Sequence, residues 1–439
     1  MPFGPKNLRI SCDARGLTRF GGVALLHQFF QQLGVRNQLG RQFRPRQRNS
    51  TYLVSEMIEA LLYPLILGLG RVESTEPLRH NGVFQYLAGL PDYPEAATLR
   101  RFLLRFAGKR RDRFLSLIDR WLKEMLSRPQ PRTSAILDLD ATVLTVYGRQ
   151  QFSEIGYNPK KRGRPSYLPL LCFEGHNRNV LGGGYYSGNT RANKVAPALV
   201  KEALEKLPSS VRKVHVRGDS AFYDGKFIDF LEENGASYVI AAGMKRGLKK
   251  RLGGLKYQRI SQGVCAAELQ YIPYGWKRAR RFVLIRRPVP EEPSAQMHLF
   301  KMAGFTYQTL VTNMSLQPLN LWRFYNHRST AELIIRELKD AYALGKIPAR
   351  DFSANEIFFQ IVLLAYNLLN WFKRLCLPTS WQCMTLQRLR HRFLLVPAQL
   401  ARPADRPTLR IMPTHTYSAE FIEISKCIKK VRALSEPMN

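Results

Sequence analysis

The chain has 439 residues, 45% of them hydrophobic and 11% aromatic, which excludes a disordered polypeptide and gives material for two or three domains. Lys and Arg number 68 against 33 Asp and Glu, a formal charge of +35. A positive excess of that size is the footprint of a protein that meets a polyanion, nucleic acid first. No amphipathic or lipidated anchor suited to an anionic membrane is evident.

In chain order, the opening stretch "MPFGPKNLRISCDARG" has no apolar core of a signal peptide. Helical spacing of apolar residues then runs through "TYLVSEMIEALLYPLILGLG" and "TLRRFLLRFAGKRRDRFLSLIDRWLKEML", so residues 1–130 read as a helical N-terminal, DNA-binding domain. Thr98 followed by Arg100 and Arg101 offers an N-cap and a basic first turn that would suit a helix laid in a DNA groove. A solvated basic helix packed on its neighbours accounts for the same residues. The apolar runs at 52–70 and 357–372 are interrupted by Glu56, Glu59 and Pro64, and by Gln360, Asn367 and Asn370, and read as core helices rather than membrane spans.

From residue 134 the texture changes. "SAILDLDATVL" reads as a strand over 134–144 carrying Asp138 and Asp140 on one face, roughly 7 Å apart. Two acids among Ile136, Leu137, Leu139 and Val143 require a positive partner, a metal ion or a basic side chain. Apolar runs "YLPLLCFE" and "NVLGGGYYSG", a helical "ANKVAPALVKEALEKL", the strand-like "RKVHVRGDSAF", the helix "DGKFIDFLEENG" and the strand "ASYVIAAG" follow. That is an α/β order with acids at strand ends, where ligand sites of open sheets gather. Asp219 closes one of these strands, although an acid in that place is most often only a turn or cap residue.

Residues 244–315 are short, β-rich and turn-punctuated, an insertion into the α/β region of 131–243 and 316–400. Residues 401–439, rich in Pro and Arg, read as a basic tail along a surface. In "FYNHRSTAELIIRELKD", Tyr325, Arg328, Glu332 and Lys339 lie within about 60° of one another on one face of a continuous helix. Alone, that face reads as solvent-exposed with Glu332 paired to Arg328 or Arg336. Together with two strand-end aspartates, Glu332 completes a set of three carboxylates able to converge on two hard divalent cations, Mg²⁺ or Mn²⁺. The six cysteines are scattered without a C-x-x-C pair, which argues against zinc and fits a reduced, cytoplasmic compartment.

These motifs resemble bacterial insertion-sequence transposases of the DDE type. The helix matches Y-x2-R-x3-E-x6-K at Tyr325, Arg328, Glu332 and Lys339. Asp140-Ala141-Thr142 matches D-x-T, and Arg217 to Phe222 match R-x-D-S-x-F; "SGNT" at 187–190 and "LLAYNLLNW" at 363–371 are similar runs. The likeness spans roughly residues 130–375. It implies an RNase-H-like catalytic domain interrupted by a β-rich insertion. It also implies that Asp140 bridges two metal ions, with Asp219 and Glu332 each completing one. Hydrolysis at the element ends would free a 3′-hydroxyl that attacks target DNA. Arg328 and Lys339 would contact phosphates near the cut, Tyr325 would position one through its hydroxyl, and a homodimer would assemble on two terminal inverted repeats. The D-x-T match selects Asp140 as the bridging acid and leaves Asp138 as a supporting group.

Arg164, in "KKRGRPSY", could enter a narrow A·T minor groove, although a basic loop gripping backbone explains it as well. Trp276, in "PYGWKRARR", could stack on a flipped base, and equally could belong to the core of the insertion. A non-catalytic DNA-binding protein would account for the charge and the N-terminal helices. An RNase-H-like nuclease without strand transfer would account for the acids.

Overall fold

Ser134–Ala141 is an interior strand, with Leu137 and Leu139 fully buried on one face and Asp138 buried on the other. In the computed structural model, which describes residues 8, 10–43, 51–128, 132–289, 300–302, 304–412 and 415–435, this strand lies inside a mixed sheet. Pro165–Glu174 pairs with it antiparallel on one side and Lys213–Gly218 pairs parallel on the other. Val180–Ser187 extends the antiparallel side and Ser237–Ala241 the parallel side. The parallel strands are reached through the helices Ala192–Lys206 and Gly225–Glu233. A three-stranded meander followed by two parallel strands is the RNase-H-like order, and the fold class is α/β. Beyond Ala141 the Thr142 N–H still donates to the Pro169 carbonyl (2.9 Å), and the pairing continues in the same register at Leu144–Thr145 against Tyr167 and Ser166.

The insertion continues this sheet. Phe305–Thr312 pairs antiparallel with Ser237–Ala241 and is followed outward by Arg280–Pro288, Val264–Tyr271 and Gln258–Ser261. At the opposite edge, Val180–Ser187 is covered by the start of the helix Phe352–Cys376. A Cβ on Gly183 would stand 2.7 Å from Phe359 and Leu363, so the glycine permits the helix to approach. Gln360 donates to the Gly183 carbonyl (2.8 Å), while Asn367 both donates to and accepts from the backbone of Val180 (2.9 Å each). The polar residues that interrupt the apolar run thus pair the exposed backbone of an edge strand. This helix is long and apolar enough to cross a membrane, but most of it is buried in the protein.

The chain divides into two compact units, Phe106–Asp340 with Ala349–Asn367, which holds the sheet just described, and Met1–Arg105 with Ala341–Pro348 and Leu368–Asn439. In the second, Val54–Leu67 contains Pro64, which has no N–H for the Ala60 carbonyl; the Tyr93 hydroxyl donates to it instead (2.5 Å). The buried Glu59 accepts from Arg36, and Arg390 caps the helix by donating to the carbonyls of Leu65 and Ile66 (2.8 and 2.6 Å). Thr98 is not an N-cap: the helix Ala96–Arg105 begins before it, and Arg100 is tied to Glu73. The C-terminal stretch is woven into this unit rather than laid along it as a tail. Ala398–Ala401 pairs with both Leu17–Thr18 and Thr408–Ile411, the helix Ser418–Lys429 buries Phe421, Ile424 and Ile428, and the Leu434 N–H donates to Leu33 (3.1 Å).

Candidate active site

The register that pairs Asp138 with Arg217 and Leu139 with Gly218 brings Asp140 and Asp219 to the carboxyl ends of adjacent parallel strands. Asp140 is 7% exposed, and its Oδ1 accepts from the Ala141 N–H (2.9 Å). Asp219 caps the short turn Ser220–Phe222, accepting from the Ala221 N–H (2.9 Å). Glu332 lies in the first turn of the helix Ser329–Asp340.

The segment carrying Tyr325, Arg328, Glu332 and Lys339 is two helices, Pro318–Asn326 and Ser329–Asp340, not the continuous helix inferred from its spacing. The Arg328 N–H bonds back to Tyr325 (2.9 Å) and that of Ala331 to Arg328 (2.8 Å), three-residue bonds that tighten the chain between them. The break leaves Arg328 buried beside the acids. One guanidinium nitrogen is 3.3 Å from Asp140 and another donates to Glu332. Its carbon stands 5.9 Å from the centre of the Tyr325 ring. Tyr325 is itself buried in a core cluster with Val239, Leu310 and Leu321.

Burial pushes the Asp140 carboxyl up to about 7; Arg328 opposes the shift, while the charges of Asp219 and Glu332 add to it. Burial likewise raises Asp219 against the pull of Arg328. Arg328 is driven further up by Tyr325 and the three carboxylates, against the effect of its own burial. Lys339 donates to the Val143 carbonyl (3.2 Å), and burial together with the charge of Lys160 lowers its pKa.

The donors fit hard divalent cations in kind, since all three are carboxylates and Asp140 holds a proton near neutrality where a cation would displace it. Among the described residues no three such donors converge on one point. The Arg328 charge stands among them, and the Glu332 side chain, 55% exposed, is free to turn once that contact is released.

Asp138 is 1% exposed and accepts from two of the three Arg217 guanidinium nitrogens, at 2.5 and 2.7 Å. Arg217 also donates to the Phe324 carbonyl (2.7 Å) and lies over the Phe324 ring. The R-x-D-S-x-F match includes Arg217 but gives it no partner. The signal was present, because Asp138 and Arg217 each lie two residues before an acid on strands that run side by side. Trp276 is half-buried, its ring 5.1 Å from that of Tyr223 and under Arg280 at 5.2 Å. Arg164 is exposed with its guanidinium 5.9 Å from the Tyr147 ring.

A family model described as transposase DDE domain, group 1, matches residues 2–433. The chain belongs to that family. No curated protein matches this transposase. Among solved structures it is similar to the piggyBac transposase in a synaptic complex with hairpin DNA, at 14% identity and a TM-score of 0.47, over 87% of this chain and 82% of that one.

Proposed function

We propose that this DDE transposase moves an insertion sequence by cut-and-paste transposition, cleaving DNA at the element ends and joining the freed 3′-hydroxyls to target DNA. The observation that carries the reading is the placement of Asp140 and Asp219 at the ends of neighbouring parallel strands with Arg328 and Glu332 beside them. Asp140, Asp219 and Glu332, whose charges act on one another, would hold divalent ions, Mg²⁺ or Mn²⁺. When bound, the ions supply Lewis acidity at phosphorus and favour deprotonation of the attacking water or hydroxyl.

The chain's own groups do the rest. Arg328 exchanges carboxylate partners for the scissile phosphate, Lys339 holds a neighbouring phosphate, and Tyr325 fixes Arg328 from below and offers its hydroxyl to the backbone. In cleavage, water oxygen bonds to phosphorus as the bond to the 3′-oxygen breaks, leaving a 3′-hydroxyl and a 5′-phosphate. In joining, that hydroxyl bonds to a target phosphorus and displaces a target 3′-oxygen, so one phosphodiester replaces another. The partners are double-stranded DNA, as terminal inverted repeats and target, and a second copy of the chain assembled on two ends.

The test is a labelled duplex of an element end incubated with Mg²⁺ or Mn²⁺. Asp140→Ala, Asp219→Ala and Glu332→Ala should each abolish nicking, and retention by all three would overturn the proposal. Pre-cut ends with a free 3′-hydroxyl should be joined to a plasmid; nicking without joining would reduce the activity to that of a nuclease.

A further inference from the structure

One surface of the sheet unit has no part in the chemistry above, yet it is built with unusual care. Leu144–Thr145 and Glu154–Ile155 flank the start of Pro165–Glu174 from opposite sides, both reaching Ser166. Two residues beyond each short strand stands an exposed tyrosine, Tyr147 (71%) and Tyr157 (82%). The buried Asn158, next to Tyr157, ties the two sides together by donating to the Thr145 hydroxyl (3.0 Å). Its carbonyl oxygen accepts from the Lys161 N–H (3.1 Å), which starts a turn closed by Arg164 N–H on the Lys161 carbonyl (3.2 Å). Arg164 then returns over the Tyr147 ring.

The platform is closely packed underneath. A Cβ on Gly156 would collide with the Gly188 carbonyl, and one on Gly188 with the Ser166 hydroxyl. Phe152 adopts a positive φ of 54°, held by an edge contact to Phe352 and by Tyr167 donating to the Gln151 carbonyl (2.5 Å). Above it, Arg149, Lys160, Lys161, Arg162 and Arg164 are exposed. The platform adjoins the acids: Val143, one residue before its first strand, accepts from Lys339, and Lys160 lies near enough to Lys339 for their charges to repel.

Resting on the reading of the acids as a DNA-cutting site, we propose that this surface binds the unpaired nucleotides next to the scissile phosphate. Their bases would stack on Tyr147 and Tyr157, and their phosphates would meet the Lys160–Arg164 turn. The occupant follows from chemistry. Exposed rings set among cations on a fixed frame offer stacking faces that only unstacked bases can use, whereas a duplex would use the cations alone.

The test measures anisotropy of a labelled single-stranded oligonucleotide and of a duplex of the same sequence, in EDTA at fixed salt. The double variant Tyr147→Ala/Tyr157→Ala should bind the single strand about tenfold or more weakly with duplex affinity within about twofold. The corresponding double Phe variant should keep single-strand binding. Equal losses on both DNAs, no loss on either, or failure of the Phe variant would overturn the proposal. Because the titration is run in EDTA, it reads binding apart from cleavage: loss of the single-strand difference overturns this proposal and leaves the reading of the acids to the nicking assay.

Discussion

Two aspartates one pleat apart on the same strand are given different work by their partners. Asp138 is locked by Arg217, whereas Asp140 faces other carboxylates and a guanidinium it shares with Glu332. Asp138→Asn should therefore weaken cleavage and lower the melting temperature, because Arg217 is left buried without a full counter-charge; the complete loss of a partner in such a pair costs about 3–5 kcal/mol. Asp140→Asn should abolish cleavage with little loss of stability. The reverse pattern of activities would exchange their roles. A second buried group predicts a pH effect. Burial, aided by Arg36, depresses His27 from its ordinary value of 6.5 to about 4, and its Nδ1 lies 2.8 Å from the Tyr63 hydroxyl. Unfolding then takes up a proton between those values. The stability His27 contributes is fully present above pH 6.5 and is lost as pH falls toward 4, by about 1.4 kcal/mol per pH unit at the steepest. Thermal melts over that range should be flatter for His27→Leu than for the parent chain.

At the scale of elements, close approach is the recurring device. Gly183 admits the helix that covers the edge strand, and Gly183→Ala should cost about 1–3 kcal/mol in denaturant unfolding through overpacking against Phe359 and Leu363. The elements from 134 to 241 could be read from sequence because alternating or continuous apolar runs and capped helices were punctuated by Gly, Asp and Asn. The break before the acid-bearing helix could not, since three-residue hydrogen bonds to the carbonyls of His327 and Arg328 leave no trace in a pattern of apolar spacing. The C-terminal strands were hidden for a related reason. Ala398–Ala401 and Thr408–Ile411 are four residues each, and the first of them pairs with Leu17–Thr18, a segment at the far end of the chain. Arg390 carried a signal of the opposite kind: an arginine flanked by Arg388, His391 and Arg392 looks like surface charge until its carbonyl partners are known.

At the scale of the whole molecule, the charge of +35 predicts salt-dependent association with DNA. If 6–10 phosphates are engaged, affinity should fall by about 10³–10⁵ between 50 and 200 mM salt, and a flat profile in a filter-binding titration would contradict a phosphate-dominated interface. The sheet has a mechanical consequence. From Val264–Tyr271 to the strand that leads into Asp219, each strand is hydrogen-bonded to the next, and Arg280 pins the insertion to the helix Gly225–Glu233 through Asp229 and Glu232. Amides of Val239–Ala241 and Leu310–Thr312 should accordingly exchange with solvent together, at the slow rate of the central strands. Such a plate has no hinge at the join. The outer strands should therefore move with the strand beside the acids, as one sheet, rather than swing over the site as a flap.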